Sequence, residues 1–209
     1  MTEYALNKGD AVVAASRPSS APALNGLLAK HSPKSLVVVP FDLLKPETIT
    51  AAFARAKEVF GRIDVVFNNA GITTGGEIES TTDESTRKVF ETNFFGALIV
   101  NKEAVRQFRD GNPAGVGGTL MIVSSYLGGA PMPCVGIYSA SKAGESGHEM
   151  FRHHVLPYAT AIEAVTQAMA GEIDPAWNIK VCLTLQEQQP CSMHTDNYPS
   201  TGKVPHASR

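Results

Sequence analysis

The sequence predicts an α/β fold with a mostly parallel sheet covered by helices on both faces, and three observations carry that prediction. Short apolar, often β-branched runs recur along the chain. Between them lie segments whose apolar residues fall at helical spacing. The two kinds alternate at lengths that suit crossovers between parallel strands.

Ala11 to Ala15 is the first such run, ended by Ser16-Arg17-Pro18, and Ser35 to Val39 is the second, ended by Pro40-Phe41-Asp42. Both read as buried strands. From Pro46 to Phe60 the apolar residues Ile49, Ala52, Phe53, Ala56 and Val59 lie on one helical face, with Pro46 at the start and Gly61 just past the end. Asp64 to Phe67 predicts a third strand, Ser85 to Phe108 a long helical region, Thr119 to Ser124 a fourth strand and Ile179 to Leu185 a fifth. Residues 1–185 form a single expected domain. The remainder, 186–209, reads as an irregular polar tail.

The chain of 209 residues is long enough to bury a proper core, and its 43% hydrophobic and 18% charged residues are ordinary for a soluble protein. A net charge of −2 gives no electrostatic footprint for nucleic acid or an anionic membrane. Cys134, Cys182 and Cys191 have no Cys-x-x-Cys spacing and suit a reducing compartment. With neither a basic-then-apolar leader nor an apolar run of membrane length, a cytoplasmic location is expected.

Tyr138-Ser139-Ala140-Ser141-Lys142, preceded by Ser125, sets a hydroxyl, a phenol and an ammonium where one site could use all three. A helix including Tyr138 and Lys142 places both on one face about one turn apart, where the ammonium favours the phenolate form. That spacing alone also fits a half-solvated helix face. Its company narrows the choice: Asn68-Asn69-Ala70-Gly71 after an apolar run, Asn93-Phe94-Phe95-Gly96 opening a helix and Ser124-Ser125 closing a strand. In this order the chain resembles the short-chain dehydrogenase/reductase family, from about Asn7 to Ala143 and again from Ala161 to Asp196.

The resemblance implies a Rossmann-like three-layer α/β/α fold, a nicotinamide cofactor and interconversion of a carbonyl with a secondary alcohol. It assigns Asn93, Ser125, Tyr138 and Lys142 to catalysis, with Tyr138 exchanging the proton, Ser125 orienting the substrate oxygen and Lys142 holding ribose hydroxyls. Asn93 would fix a water behind the lysine. Asn69, Ala70 and Gly71 are implied to lie under the adenosine half of the cofactor, Asp42 to meet the adenine amino group and Thr195 to meet the nicotinamide amide. Arg17 stands where NAD-selecting members usually carry an acidic residue, and a guanidinium grips a 2′-phosphate bidentately, so NADP is expected over NAD. Pairing of two copies through the helix Ser85 to Phe108 and the helix after Tyr138 is also implied.

The chain departs from the family at three places. It lacks the Thr-Gly-x-x-x-Gly-x-Gly turn and the strand before it, so it reads as truncated at its N-terminus, with a central strand missing and two sheet edges exposed. Alternatively, Ala11 to Ala15 shifts inward to replace that strand, with Ser16 to Pro22 as a poor phosphate loop. Residues 144–160 read as an insertion; they hold His148, Glu149, His153 and His154, but Arg152 breaks the His-Glu-x-x-His zinc pattern, so no metal is expected. Near the C-terminus, Cys191 replaces a glycine of the family pattern. Two functions therefore remain open at this point: an NADP-dependent oxidoreductase acting on a small carbonyl or alcohol, and an inactive remnant acting through association.

Overall fold

The computed structural model describes residues 1–129, 131–142 and 161–186. In chain order the described elements begin with helix α1 (Thr2–Asn7), strand β1 (Val12–Ser16), helix α2 (Asn25–Leu28), strand β2 (Leu36–Pro40) and helix α3 (Pro46–Phe60). They continue with strand β3 (Val65–Asn68), helices α4 (Asp83–Phe90) and α5 (Ala97–Arg106), and strand β4 (Gly118–Ser125). Helices α6 (Tyr126–Gly129), α7 (Gly136–Lys142) and α8 (Ala161–Glu172) and strand β5 (Ile179–Gln186) complete them. Both the expected insertion, 144–160, and the tail from 187 onward lie outside the described residues.

Local chemistry sets the helix limits. Pro46 occupies the first turn of α3, where its missing N–H is not needed, and Gly61 ends the helix in the left-handed region at φ 77°, its N–H donating to Lys57 O at 2.8 Å. Replacing Gly61 with alanine leaves the added Cβ in open space but strains that backbone, so a loss of about 1 kcal/mol is expected in a urea melt. Thr82 caps α4 by accepting the Ser85 N–H at 3.2 Å. From Asp83 to Gly111 the chain stays helical, but two stretches, Glu91–Gly96 and Gln107–Gly111, widen to π geometry. The first holds the asparagine that the sequence singles out as out of place in a helix.

All strand pairings are parallel, as expected, yet the described strands form two sheets and not one. β1 pairs with β2 from Val12↔Leu36 to Ser16↔Pro40. The second sheet has the order β3-β4-β5, with Val65 opposite Thr119 and Gly118 opposite Ile179. β1 has not moved inward to join β3, so the alternative placement of Ala11 to Ala15 is not adopted. Among the described residues no hydrogen-bonded ladder connects the two sheets.

Helices α3 and α5 touch each other and span both sheets on one face, α3 against β1 and β2, α5 against β3 and β4. Their apolar faces meet Leu120 and Ile122 of β4 in the main core, with Ile49, Ala104 and Phe108 almost wholly buried. A smaller cluster of Leu6, Ala14 and Leu36 joins α1 to the first sheet. Gly96 marks the tightest approach: a Cβ there would stand 2.7 Å from Leu43 Cβ and 2.8 Å from Leu43 O. Only a glycine lets the π turn come this close to the segment leaving β2.

Candidate active site

The carboxyl ends of three strands converge on one cavity of about 220 Å³. Ala15, Ser16 and Arg17 reach it from the end of β1, Phe41 and Asp42 from the end of β2, and Ala70, Gly71 and Ile72 from the loop after β3. Of the residues expected to bind a cofactor, Arg17, Asp42, Ala70 and Gly71 therefore come together although they are widely separated in sequence. Exposed Asn69 adjoins them but is not part of the lining, and Thr195 lies outside the described residues.

Local bonds fix this wall. One Asp42 carboxylate oxygen accepts the Leu44 N–H at 3.0 Å, and the Asp42 N–H donates to Thr48 Oγ1 at 2.9 Å, so the aspartate braces the turn into α3. Ser16 and Ser20 stand beside Arg17, the Ser16 hydroxyl donating to the Arg17 carbonyl at 3.4 Å.

Asn93 connects the cavity wall to the helix of the phenol. Its side chain is 1% exposed and closes a ring with Ile72, Oδ1 accepting the Ile72 N–H and Nδ2 donating to the Ile72 carbonyl, each at 2.8 Å. The same Nδ2 donates to Ser141 Oγ at 2.9 Å, and Ser141 Oγ in turn donates to the Tyr138 carbonyl at 2.7 Å. The loop after β3, the π turn and α7 are thus joined through buried polar atoms with no charge among them. Gly71 makes room for the link, since a Cβ there would come within 3.2 Å of Asn93 Oδ1. The Asn93 side chain is thus occupied by the Ile72 backbone and the Ser141 hydroxyl.

Ser125, 8% exposed, ends β4, and its hydroxyl oxygen accepts the Leu127 N–H at 3.3 Å. Lys142 is 6% exposed, and its ammonium donates to the Val123 carbonyl at 3.1 Å, which pins α7 to the strand that carries Ser125. Tyr138 is half-buried on α7, one turn before Lys142. All four expected catalytic residues are therefore attached to one framework built from the loop after β3, the π turn, the end of β4 and α7.

Two members of that framework escaped sequence reasoning. Ser141 lies inside the quoted run but has no distinguishing spacing of its own. Asn68 is buried at the end of β3 and donates to Ala97 O at 3.1 Å and Asn101 Oδ1 at 2.8 Å. Strand alternation carries the missing signal, because adjacent asparagines at a strand end point to opposite sides and one of them must find buried partners. Among the described residues no group of His, Cys, Asp and Glu side chains is arranged to hold a metal.

The sequence profile described as short chain dehydrogenase matches residues 1–181. The chain belongs to the short-chain dehydrogenase family. An uncharacterized oxidoreductase of Schizosaccharomyces pombe is 31% identical over 196 residues, covering 94% of this chain and 56% of its own length. The oxidoreductase calM of Penicillium decumbens is 31% identical over 172 residues, 81% of this chain and 49% of that protein. This short-chain dehydrogenase chain thus spans about half the length of these curated relatives. Among solved structures, a short-chain dehydrogenase from Streptomyces avermitilis superposes with a TM-score of 0.68 at 27% identity, covering 90% of this chain and 66% of that one. A Burkholderia phymatum family member in complex with NAD shares the fold with a TM-score of 0.64 at 22% identity, covering 84% of this chain and 55% of that chain.

Proposed function

We propose that this short-chain dehydrogenase is an NADP-dependent oxidoreductase that interconverts a carbonyl and a secondary alcohol, with Tyr138 as its acid/base group. The observation that carries the reading is the buried link from Ile72 through Asn93 and Ser141 to Tyr138, which ties the strand-end cavity to the helix bearing the phenol. In an open α/β sheet, ligands bind beyond the carboxyl ends of the strands, and this cavity has that position. At about 220 Å³ it is smaller than the ~300–1,000 Å³ of sites that bury a drug-sized ligand, so it suits one end of a dinucleotide. Gly71, whose Cβ would crowd Asn93, and the apolar Ala70 give a flat wall for an adenosine.

Arg17, with Ser16 and Ser20 beside it, is the group we assign to a 2′-phosphate, and the Asp42 carboxylate to the adenine amino group. Asn69 and Thr195 complete the proposed cofactor contacts. When bound, the nicotinamide supplies or accepts the hydride. Tyr138 then gives its proton to the substrate oxygen in reduction and takes it back in oxidation. Ser125 orients that oxygen, and Lys142, tied to Val123 O, holds the tyrosine helix against β4 and offers its charge to ribose hydroxyls. Asn93 keeps the loop and the helix in register.

Pairing of two copies belongs to the same proposal, through the α4 face where Phe90 and Phe95 border a cavity of about 340 Å³ and Phe95 is 49% exposed. A cytoplasmic setting does too, since Cys134 and Cys182 are free thiols. Among the described residues no helix is long and apolar enough to cross a membrane.

Calorimetric titration of the chain with NADPH and, separately, NADH tests the reading. Saturable binding that favours NADPH is expected, and Arg17→Ala should reduce that preference about tenfold, the loss of one charge-assisted contact. Equal or tighter binding of NADH would remove the role of Arg17. Binding of neither by the folded chain would remove the function.

A further inference from the structure

Ser139 and Ser141 lie on either side of Ala140, and both are buried, at 3% and 0% exposure. Their hydroxyls have opposite fates. Ser139 Oγ has no hydrogen-bond partner among the described residues, whereas Ser141 Oγ accepts from Asn93 Nδ2 and donates to Tyr138 O. Every hydrogen of this link is assigned. Asn93 Oδ1 takes the Ile72 N–H, so Nδ2 commits its two hydrogens to the Ile72 carbonyl and to Ser141, and the serine hydrogen goes to Tyr138 O. With none to spare, the link has a single arrangement.

Helix α7 is held at two points on different faces. Lys142 Nζ donates to Val123 O of β4, and one residue earlier Ser141 Oγ is gripped by Asn93, which also holds the loop after β3. Successive residues stand about 100° apart around a helix, so these two bonds together fix its rotation about its own axis, which neither fixes alone. Tyr138 precedes them by three and four residues, which places it one turn above the gap between them. The Ser141 hydroxyl also holds the Tyr138 carbonyl, one bond from the Cα that carries the phenol. Tyr138 is only half-buried, so the aim of its ring depends on where its backbone is held.

We propose that Ser141 is a positioning residue that fixes Tyr138 relative to the cavity wall of Ala70, Gly71 and Ile72, a role that rests on the function proposed above. Ser141 is buried away from cofactor and substrate and acts through Tyr138. Without its hydroxyl, Asn93 still grips Ile72, but α7 keeps only the Lys142 bond of the two and the phenol loses its register with the wall. A displacement of about 1 Å at a reacting group costs up to ~10²-fold in rate, while binding at the wall is untouched. Ser139, alike in type and burial, has no such task.

Ser141→Ala is expected to lower kcat for carbonyl reduction about tenfold or more, with the KM for NADPH within about twofold of wild type. Ser141→Cys keeps a weak S–H donor and should fall between the two. Ser139→Ala is expected to change neither quantity. In the Tyr138→Phe background the loss caused by Ser141→Ala should vanish, since no phenol remains to be aimed. An equal loss in both backgrounds would mean general damage to the fold and would overturn the proposal, as would a Ser139→Ala variant that loses as much kcat as Ser141→Ala. Should a urea melt show Ser141→Ala unfolded, Ser141→Cys and its combination with Tyr138→Phe make the same comparison. A wild-type chain that turns over no carbonyl removes the function and this role together, whereas wild-type turnover with Ser141→Ala at full rate removes this role alone.

Discussion

Tyr138→Phe is expected to lower the rate of carbonyl reduction by about 10²–10⁴-fold while leaving NADPH affinity unchanged, the range that positioned acid/base groups contribute. The substitution removes one oxygen and keeps the ring. Ser141 grips the Tyr138 backbone carbonyl, not its side chain, and Lys142 is anchored on Val123 O, so α7 has no reason to move. A fall in kcat with constant cofactor binding therefore reads the lost proton donor and not a lost fold. Steady-state oxidation of NADPH with a screened carbonyl measures the first quantity and calorimetry the second. Turnover that survives the substitution would take Tyr138 out of the reaction.

Asn93→Ala is expected to be the more damaging change to the fold, costing about 3 kcal/mol by leaving a buried donor and acceptor unpartnered. The lost groups can be named. Ile72 loses a partner for both its N–H and its C=O, and Ser141 Oγ loses the donor it accepts. At 1% exposure no water reaches Asn93 without rearrangement. Urea melts should show a midpoint lower by about 1 M or more for an m-value near 2 kcal/mol/M. Asn93→Asp sets a carboxylate oxygen against the Ile72 carbonyl in a buried site, so it should be no more stable than Asn93→Ala, and a variant as stable as wild type would show that the bridge contributes little.

Much of this site was legible because its residues occupy strand ends and a helix start, positions that apolar periodicity locates well. Arg17, Asp42, Ala70 and Gly71 each follow a β-branched run, and the fold needs only parallel pairing to gather them at one cavity. Tyr138 and Lys142 stand one turn apart on α7, as the spacing predicts, but it is the company of the other motifs and not the spacing that singles them out. The bridging role of Asn93 was not, since an asparagine in a helical segment reveals discomfort without revealing its partner, and Ile72 contributes only backbone atoms that no residue pattern marks. Asn68 escaped for a related reason: nothing in the run Asn68-Asn69-Ala70-Gly71 marks it as the residue that closes β3 and reaches Asn101 on α5.

The division of the sheet was foreseeable from the missing central run, but its outcome was not. Local propensity cannot tell whether β1 will slide inward to cover an edge or stay with its partner. Leu6, Ala14 and Leu36 decide it, because leaving β2 would uncover the small cluster they form.

Among the described residues that small cluster and the larger one around α5 share no backbone ladder, and this bears on how the chain comes apart. A body of this kind does not have one stability. The β1–β2 pair is held to the rest chiefly through α3 and its packing on α5, so it is expected to open at a lower free energy than β3, β4 and β5, which amide exchange would read. The cavity lies where those units meet, which makes any ligand bound there a clasp between them: its binding energy is drawn in part from holding together two pieces that the backbone leaves apart.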